Sequence, residues 1–365
     1  MVTLPAHLIA TPVLDLLTGA RDRAVPAGQT GELVGVVLGA GATAAWVDVD
    51  GFVVAITTRE VPLLPNAIAL SAGSGALSHA GVGPGTTARL IPGRMTLGPL
   101  QITWNPSAPP TWDPTVPVPA GVAPEALATR GSAILHALGS RQGTVAEGAV
   151  DKRESPVPRS ATLPLRGPQE PEVADPGALE RRPQEWVADP NHLVRELARV
   201  GVVTAADTGG AGGLVLLFRA VRERDPEPAA AGVRELLGRG PGLTPEGDDL
   251  VAAVAGALAV LGPAIGSSGP ARDTPIDGPT SDPVLDALEP IPGRTSGLSA
   301  TLLALAARRR LPEPAGRLLD LSPAGEAAWP AALARLDRLG HGSGRAYAAG
   351  IGATAILLAA AAGVR

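Results

Sequence analysis

Residues 238–249 read GRGPGLTPEGDD and run directly into the apolar segment LVAAVAGALAVL. Two adjacent carboxylates, Asp248 and Asp249, therefore stand at the start of a segment whose composition predicts a helix apolar on all sides. A helix of that kind is buried, and a buried carboxylate requires a cation or convergent hydrogen-bond donors. The pair are candidate catalytic groups, suited to hold a substrate amino group or a cation. Part of the stretch is ordinary helix chemistry. Thr244 suits an N-cap, Pro245 the first helical position, and Glu246 a first turn whose dipole favours negative charge. The alternating glycines are not explained this way. They permit backbone conformations closed to other residues, and Gly240, Gly242 and Gly247 are candidates for ligand contact through the backbone.

Two further segments share the design. GRTSGLSATLLALAA (293–307) and GHGSGRAYAAGIGATAILL (340–358) each place glycine, hydroxyl and charge ahead of an apolar run. The N-terminus of a helix offers unpaired N–H groups and a positive dipole end, so it attracts anions. If the three mouths converge, Thr244, Thr295, Ser296 and Ser343 supply hydroxyls, while Arg294 and Arg345 supply bidentate charge to a phosphate or carboxylate. His341 is the histidine placed at such a mouth and is a candidate proton carrier near neutral pH. His7, His79, His136 and His192 sit apart and have no metal-ligand spacing. Plainer readings stand beside these: Ser296 and Ser343 as N-caps, Arg294 as a surface charge. Asp248 and Asp249 also suit Mg²⁺ in type. Adjacent helical residues point about 100° apart, however, which argues against one shared ion. No metal site and no resident cofactor are expected.

Several other chemistries are excluded by motif. GPGLTPEGDD lacks the lysine of a phosphate loop, GHGSG places its serine one position too late for a nucleophile elbow, and no dinucleotide fingerprint follows a predicted strand. The absence of cysteine removes disulfides, thiolate metal sites and cysteine nucleophiles. Net charge is −5, with arginines scattered or beside acids, so neither a nucleic-acid surface nor a nucleic-acid partner is expected. No secretory leader is visible at the N-terminus, which fits a cytoplasmic protein. The charge-free run at 346–364 approaches the length of a membrane span. Its alanine and glycine content favours a helix buried in a large core, with no membrane partner.

These mouths must be positioned by two kinds of element. From about 28 to 118 the chain reads as short Val-rich strands bounded by glycine. Asp50-Gly51 marks a two-residue hairpin, because both turn positions need positive φ. The expectation is α+β: an N-terminal antiparallel β barrel or sandwich, followed by an Ala-rich, mainly α-helical C-terminal domain. The expected divisions are a β-rich domain at 1–120, a helical connection at 121–150, a Pro- and charge-rich linker or insertion at 151–187, and a helical domain at 188–365 with a loop insertion at 263–292. The linker composition cannot bury enough apolar surface to offset its ordering entropy.

At GRGPGLTPEGDD the sequence resembles the DUF2877 family, which includes the AllH-like subunit of oxamate carbamoyltransferase. The family pattern Gly-x-Gly-x-Gly-Leu-Thr-Pro-x-Gly-Asp-Asp is matched at every fixed position from Gly238 to Asp249. The Thr-Ser…Ser-Ala run at 295–300 and Gly-Ser-Gly-Arg at 342–345 are similar to later family elements, the last with one residue missing. Pro65-Asn66-Ala67-Ile68 is similar in kind. The resemblance implies a subunit working alongside FdrA-like and DUF1116-like proteins. It also implies exchange of a carbamoyl group between oxalurate and phosphate in allantoin catabolism, with a small anionic substrate. It carries over no catalytic residue. Two other readings remain open: a non-catalytic assembly subunit, and a stand-alone metal-dependent hydrolase built on Asp248 and Asp249.

Overall fold

The first third of the chain forms strands β1 (Val2–Ala10), β2 (Leu33–Ala40), β3 (Ala44–Val49), β4 (Phe52–Thr57), β5 (Ala67–Leu70), β6 (Thr87–Ile91), β7 (Arg94–Leu97), β8 (Leu100–Thr103) and β9 (Thr111–Trp112). Asp50 and Gly51 take φ of 52° and 81° and join β3 to β4, with Val49 opposite Phe52. The Gly51 N–H donates to Asp48 Oδ1 at 2.8 Å, so the turn residues behave as their types require. The computed structural model describes residues 1–18, 32–148, 189–202, 208–265, 282–289, 293–340 and 342–363. The expected linker at 151–187, most of the expected insertion at 263–292, and His341 lie outside the described residues.

The strands run in the order β5-β4-β3-β2-β6-β7-β8-β1, and β1 pairs again with β5. Eight strands thereby close into a barrel, and β9 extends the sheet along the end of β1. Closure removes the exposed edges that an open sheet would present. The barrel is mixed rather than antiparallel, because β1 lies parallel to β8 and β4 parallel to β5. A tight hairpin cannot connect parallel neighbours. β4 reaches β5 through residues 58–66, which leave the sheet, and β1 arrives beside β8 from the far end of the segment. Val37, Val47, Ile56, Leu90 and Ile102 fill the interior.

The helices are α1 (Thr11–Thr18), α2 (Ala76–His79), α3 (Pro124–Gly148), α4 (Pro190–Arg199), α5 (Thr208–Glu223), α6 (Pro226–Leu236), α7 (Glu246–Leu261), α8 (Pro283–Asp286), α9 (Gly297–Ala306), α10 (Glu313–Leu318), α11 (Pro323–Leu336) and α12 (Ser343–Gly363). α12 is the axis of the helical body and packs along both α3 and α7. α3, expected as a connection, is thus part of that body. By length and composition α12 is able to cross a membrane, but here most of its residues are buried against protein. Arg130 of α3, itself buried, reaches the Leu318 and Asp320 carbonyls at 3.0 and 3.1 Å and Glu326 at 2.5 Å, which ties α3 to α10 and α11.

The helical body meets the barrel where β5 has not yet begun beside β4. There the Val53 N–H donates to the Thr301 hydroxyl of α9 at 3.0 Å, and the Val53 carbonyl accepts from Asn66 Nδ2 at 2.8 Å. Two side chains thus complete a strand edge, and the joint sets α9 at a fixed height on the barrel wall. Close packing of small residues sets the position of α12. A Cβ on Gly131 would stand 2.5 Å from the Gly352 carbonyl oxygen and 2.8 Å from Ile356 Cγ1. Gly131→Ala is therefore expected to destabilise the protein by ~1–3 kcal/mol through overpacking, despite the better helix propensity of alanine. Urea denaturation measures this, and a variant as stable as the wild type would show that the α3–α12 approach is not tight.

Candidate functional site

Gly238, Gly240 and Gly242 take φ of 77°, 112° and 99°, so the glycine segment is a left-handed zigzag that a chain of other residues resists. It delivers the Gly238 N–H to Asp248 Oδ1 at 2.7 Å. The other oxygen of Asp248 accepts from the Thr295 hydroxyl. One carboxylate therefore joins the mouth of α7 to that of α9. A second tie runs alongside: the Ser296 hydroxyl donates to the Leu243 carbonyl at 2.5 Å and accepts from the Ser299 N–H at 3.1 Å. Ser296 is thus the N-cap of α9 and a cross-brace at once.

The mouth of α12 joins the same place. Thr244 Oγ1 and Ser343 Oγ lie 3.2 Å apart, and both hydroxyls are close enough to the carboxyl of Asp249 to favour its ionised form. The three mouths converge as their sequences suggested. Asp249 is 3% exposed, and its Oδ2 has no hydrogen-bond partner among the described residues. Burial pushes its carboxyl up to about 7. The Ser343 and Thr244 hydroxyls act against that rise, while the charges of Asp248 and Glu246 add to it. The half-buried Glu246 is also raised by burial, with Arg345 pulling the other way. Tyr347, one turn into α12 from Ser343, is buried beside Asp249. Burial first and that neighbouring charge second raise its phenol.

Several expectations are corrected. Thr244 is not an N-cap: Pro245 holds the cap position of α7 and no side chain caps it, so the threonine hydroxyl turns to Ser343 instead. Arg345 donates to the Val200 carbonyl at 2.5 Å and, more weakly, to that of Leu138 at 3.4 Å, near the end of α4 and within α3. Arg294 is exposed beside Thr295. Close packing also requires glycine at two of these positions, since a Cβ on Gly240 would stand 2.9 Å from the Glu246 nitrogen and one on Gly247 would collide with the Leu236 carbonyl oxygen at the end of α6. A Cβ on Gly242 meets nothing nearby, so its positive φ is what selects glycine there. Asp248 and Asp249 turn to different partners and do not form a paired carboxylate.

Several amides at these mouths are also occupied by the chain itself. The Gly247 N–H donates to the Arg239 carbonyl at 3.0 Å, and those of Asp248 and Asp249 donate to Pro245 at 2.9 and 3.2 Å. In α12 the Gly344 N–H donates to Leu339 at 3.1 Å and the Ala346 N–H to Gly342 at 3.0 Å. The side chains that meet at the centre of the cluster present two hydroxyls and a carboxyl oxygen. Sequence reasoning missed Tyr347, although its four-residue spacing from Ser343 places both on one helix face. It also missed the joint of Asn66 and Thr301, whose buried Asn66 Oδ1 has no partner among the described residues.

The raised carboxyl of Asp249 has a consequence for stability. Its folded-state value lies above the ordinary aspartate value of 3.8, so stability is highest when the group is protonated and falls as pH rises toward 7. Asp249→Asn keeps the shape and removes the titration. The variant is expected to match the wild type near pH 4 and to exceed it by ~1–4 kcal/mol at pH 8. Denaturant unfolding across that range checks it, and a stability difference that does not change with pH would contradict the buried, ionisable state.

Comparison with curated proteins and with solved structures finds no match. One family does match: residues 236–355, roughly a third of the chain, which carry all three mouths and the cluster they form, are similar to the family described as oxamate carbamoyltransferase subunit AllH, in agreement with the resemblance of GRGPGLTPEGDD.

Proposed function

We propose that this chain is a cytoplasmic subunit of an oxamate carbamoyltransferase-like assembly, and that Thr244, Asp249 and Ser343 contact its small anionic substrate. The observation that carries this reading is the coincidence of two boundaries. The AllH match spans 236–355, and every residue of the three-mouth cluster falls inside it. The barrel and α3 fall outside. The reaction in view is carbamoyl exchange between oxalurate and phosphate, with FdrA-like and DUF1116-like subunits as partners. The hydroxyls of Thr244 and Ser343 are placed to donate to a ligand oxygen, and exposed Arg294 adds positive charge at the rim. A stand-alone hydrolase using paired aspartates has less support, because Asp248 already bonds through both oxygens.

A specific observation also favours an assembly role. Val34, Val36 and Leu38 alternate along β2 and are each more than a third exposed, as is Leu243 of the glycine segment. Leu243 Cδ1 lies 3.3 Å from where a Cβ on Gly39 would stand, so the apolar stripe runs up to the loop that carries the cluster. Apolar stripes of this sort mark contact surfaces. In this reading a partner subunit covers β2 and closes the substrate side of the loop.

Two measurements test these readings. With partner subunits reconstituted, Ser343→Ala combined with Thr244→Val is expected to lower carbamoyl phosphate formation by at least ~10-fold, since each removes a placed donor. Unchanged turnover would remove the cluster from catalysis. Val34→Glu with Val36→Glu is expected to abolish co-purification with the partners while shifting stability by no more than ~0.5 kcal/mol, as exposed substitutions do. Retained assembly would show that the stripe is not the contact surface.

A further inference from the structure

We infer that Asp249 is a specificity-determining residue, whose free Oδ2 accepts a hydrogen bond from an N–H of the ligand and so selects an amide-bearing anion over an isosteric anion that lacks the N–H. The inference rests on the reading of the cluster as a substrate site and goes beyond it to what the site discriminates.

The groups that face one another leave little choice. Asp248 bonds through both oxygens, and the first-turn amides of Gly247, Asp248 and Asp249 have carbonyl partners. Arg345 is directed at the Val200 and Leu138 carbonyls. The Thr244 and Ser343 hydroxyls lie within reach of each other beside the Asp249 carboxyl. Oδ2 of Asp249, a residue 3% exposed, is a buried hydrogen-bond acceptor without a partner among the described residues, set between two mouths. A buried acceptor left unmade is costly, and a ligand that fills it gains what one that cannot fill it forgoes. Sites built to bond a substrate N–H or O–H reject the analogue without it far more strongly than apolar pockets reject a missing methylene. A fully anionic end of a ligand would instead meet Asp249 and Glu246, two carboxyls of its own sign.

Oxamate and pyruvate separate these cases, because they carry the same charge and nearly the same shape and differ in NH₂ against CH₃. Binding of each to the full-length chain is measured by calorimetry at pH 7.5, for the wild type, Asp249→Asn and Asp249→Ala. The expected result is that the wild type binds oxamate at least ~10-fold more tightly than pyruvate, as one charge-assisted hydrogen bond warrants. In Asp249→Ala the two ligands bind within about threefold of each other, and in Asp249→Asn the preference is weakened. A preference that survives unchanged in Asp249→Ala would assign the discrimination elsewhere and overturn the inference. Equal binding of oxamate and pyruvate by the wild type, with both weakened by Ser343→Ala, would overturn it too while leaving the substrate site standing. Binding of neither ligand to the wild type would reject the site and the inference together. The comparison of the two ligands on the wild type needs no variant, so a misfolded substitution does not leave the question open.

Discussion

The two hydrogen bonds of the Asp248 carboxylate hold the candidate site together. One oxygen takes the Gly238 N–H and the other the Thr295 hydroxyl, so the glycine segment and the loop before α9 are fastened to the first turn of α7. Charge-assisted bonds of this kind are roughly twice as strong as neutral ones. The tie works because Gly238 has positive φ and no side chain, which lets the Arg294 carbonyl approach to where a Cβ would stand at 2.7 Å. With Asp248 committed to structure, its neighbour Asp249 is rotated about a quarter-turn away, toward Ser343 and the axis of the helical body. The adjacent aspartates are therefore a division of labour between a clamp and a buried, partly unsatisfied acid.

The clamp alone would not form a site without α12. The third mouth arrives because α12 is built of small residues that let it pass close to α3 and α7 together. Gly350 lies where a Cβ would stand 2.7 Å from the Ala253 Cβ, and Gly352 faces Gly131 across the other seam. Sixteen residues of α7 and twenty-one of α12 run against each other, so the relative height of their N-termini is set by packing along their length and not by the loops. The Thr244–Ser343 contact at 3.2 Å then follows from how the two helices interlock. The barrel contributes through α9, whose Thr301 and Asn66-braced seat on Val53 positions Thr295 and Ser296 for their bonds. Stability of the seams and geometry of the site are the same problem in this protein.

Much of this arrangement was legible in the sequence, for local reasons. The apolar runs after Asp249, Ser299 and Tyr347 place three buried helices, and the glycine, hydroxyl and charge before each identify their mouths. The Asp50-Gly51 turn was equally legible, because type I′ geometry is a property of two residues. What the sequence concealed were choices made over long separations. Thr244 suits a cap by type, yet its hydroxyl is used by a serine ninety-nine residues away. Arg345 looked like a ligand cation at a helix mouth, but it donates to the Val200 and Leu138 carbonyls, which no local pattern connects to it. The parallel β1–β8 and β4–β5 pairings were hidden for the same reason, since register between strands distant in sequence leaves no trace in either strand alone.

The occupied amides change the chemistry expected of three converging helix N-termini. Such a convergence ordinarily suggests a phosphate cradle, in which N–H groups and dipoles receive the charge. In this chain several of those N–H groups have carbonyl partners, and the half-buried Arg345 donates to the Val200 and Leu138 carbonyls. The dipoles remain, and they favour negative charge at the first turn. Asp249 lies deeper, where desolvation outweighs the dipole and its two hydroxyl partners. The centre of the cluster is thus close to the point of gaining or losing one proton near neutrality, with an acceptor oxygen unfilled.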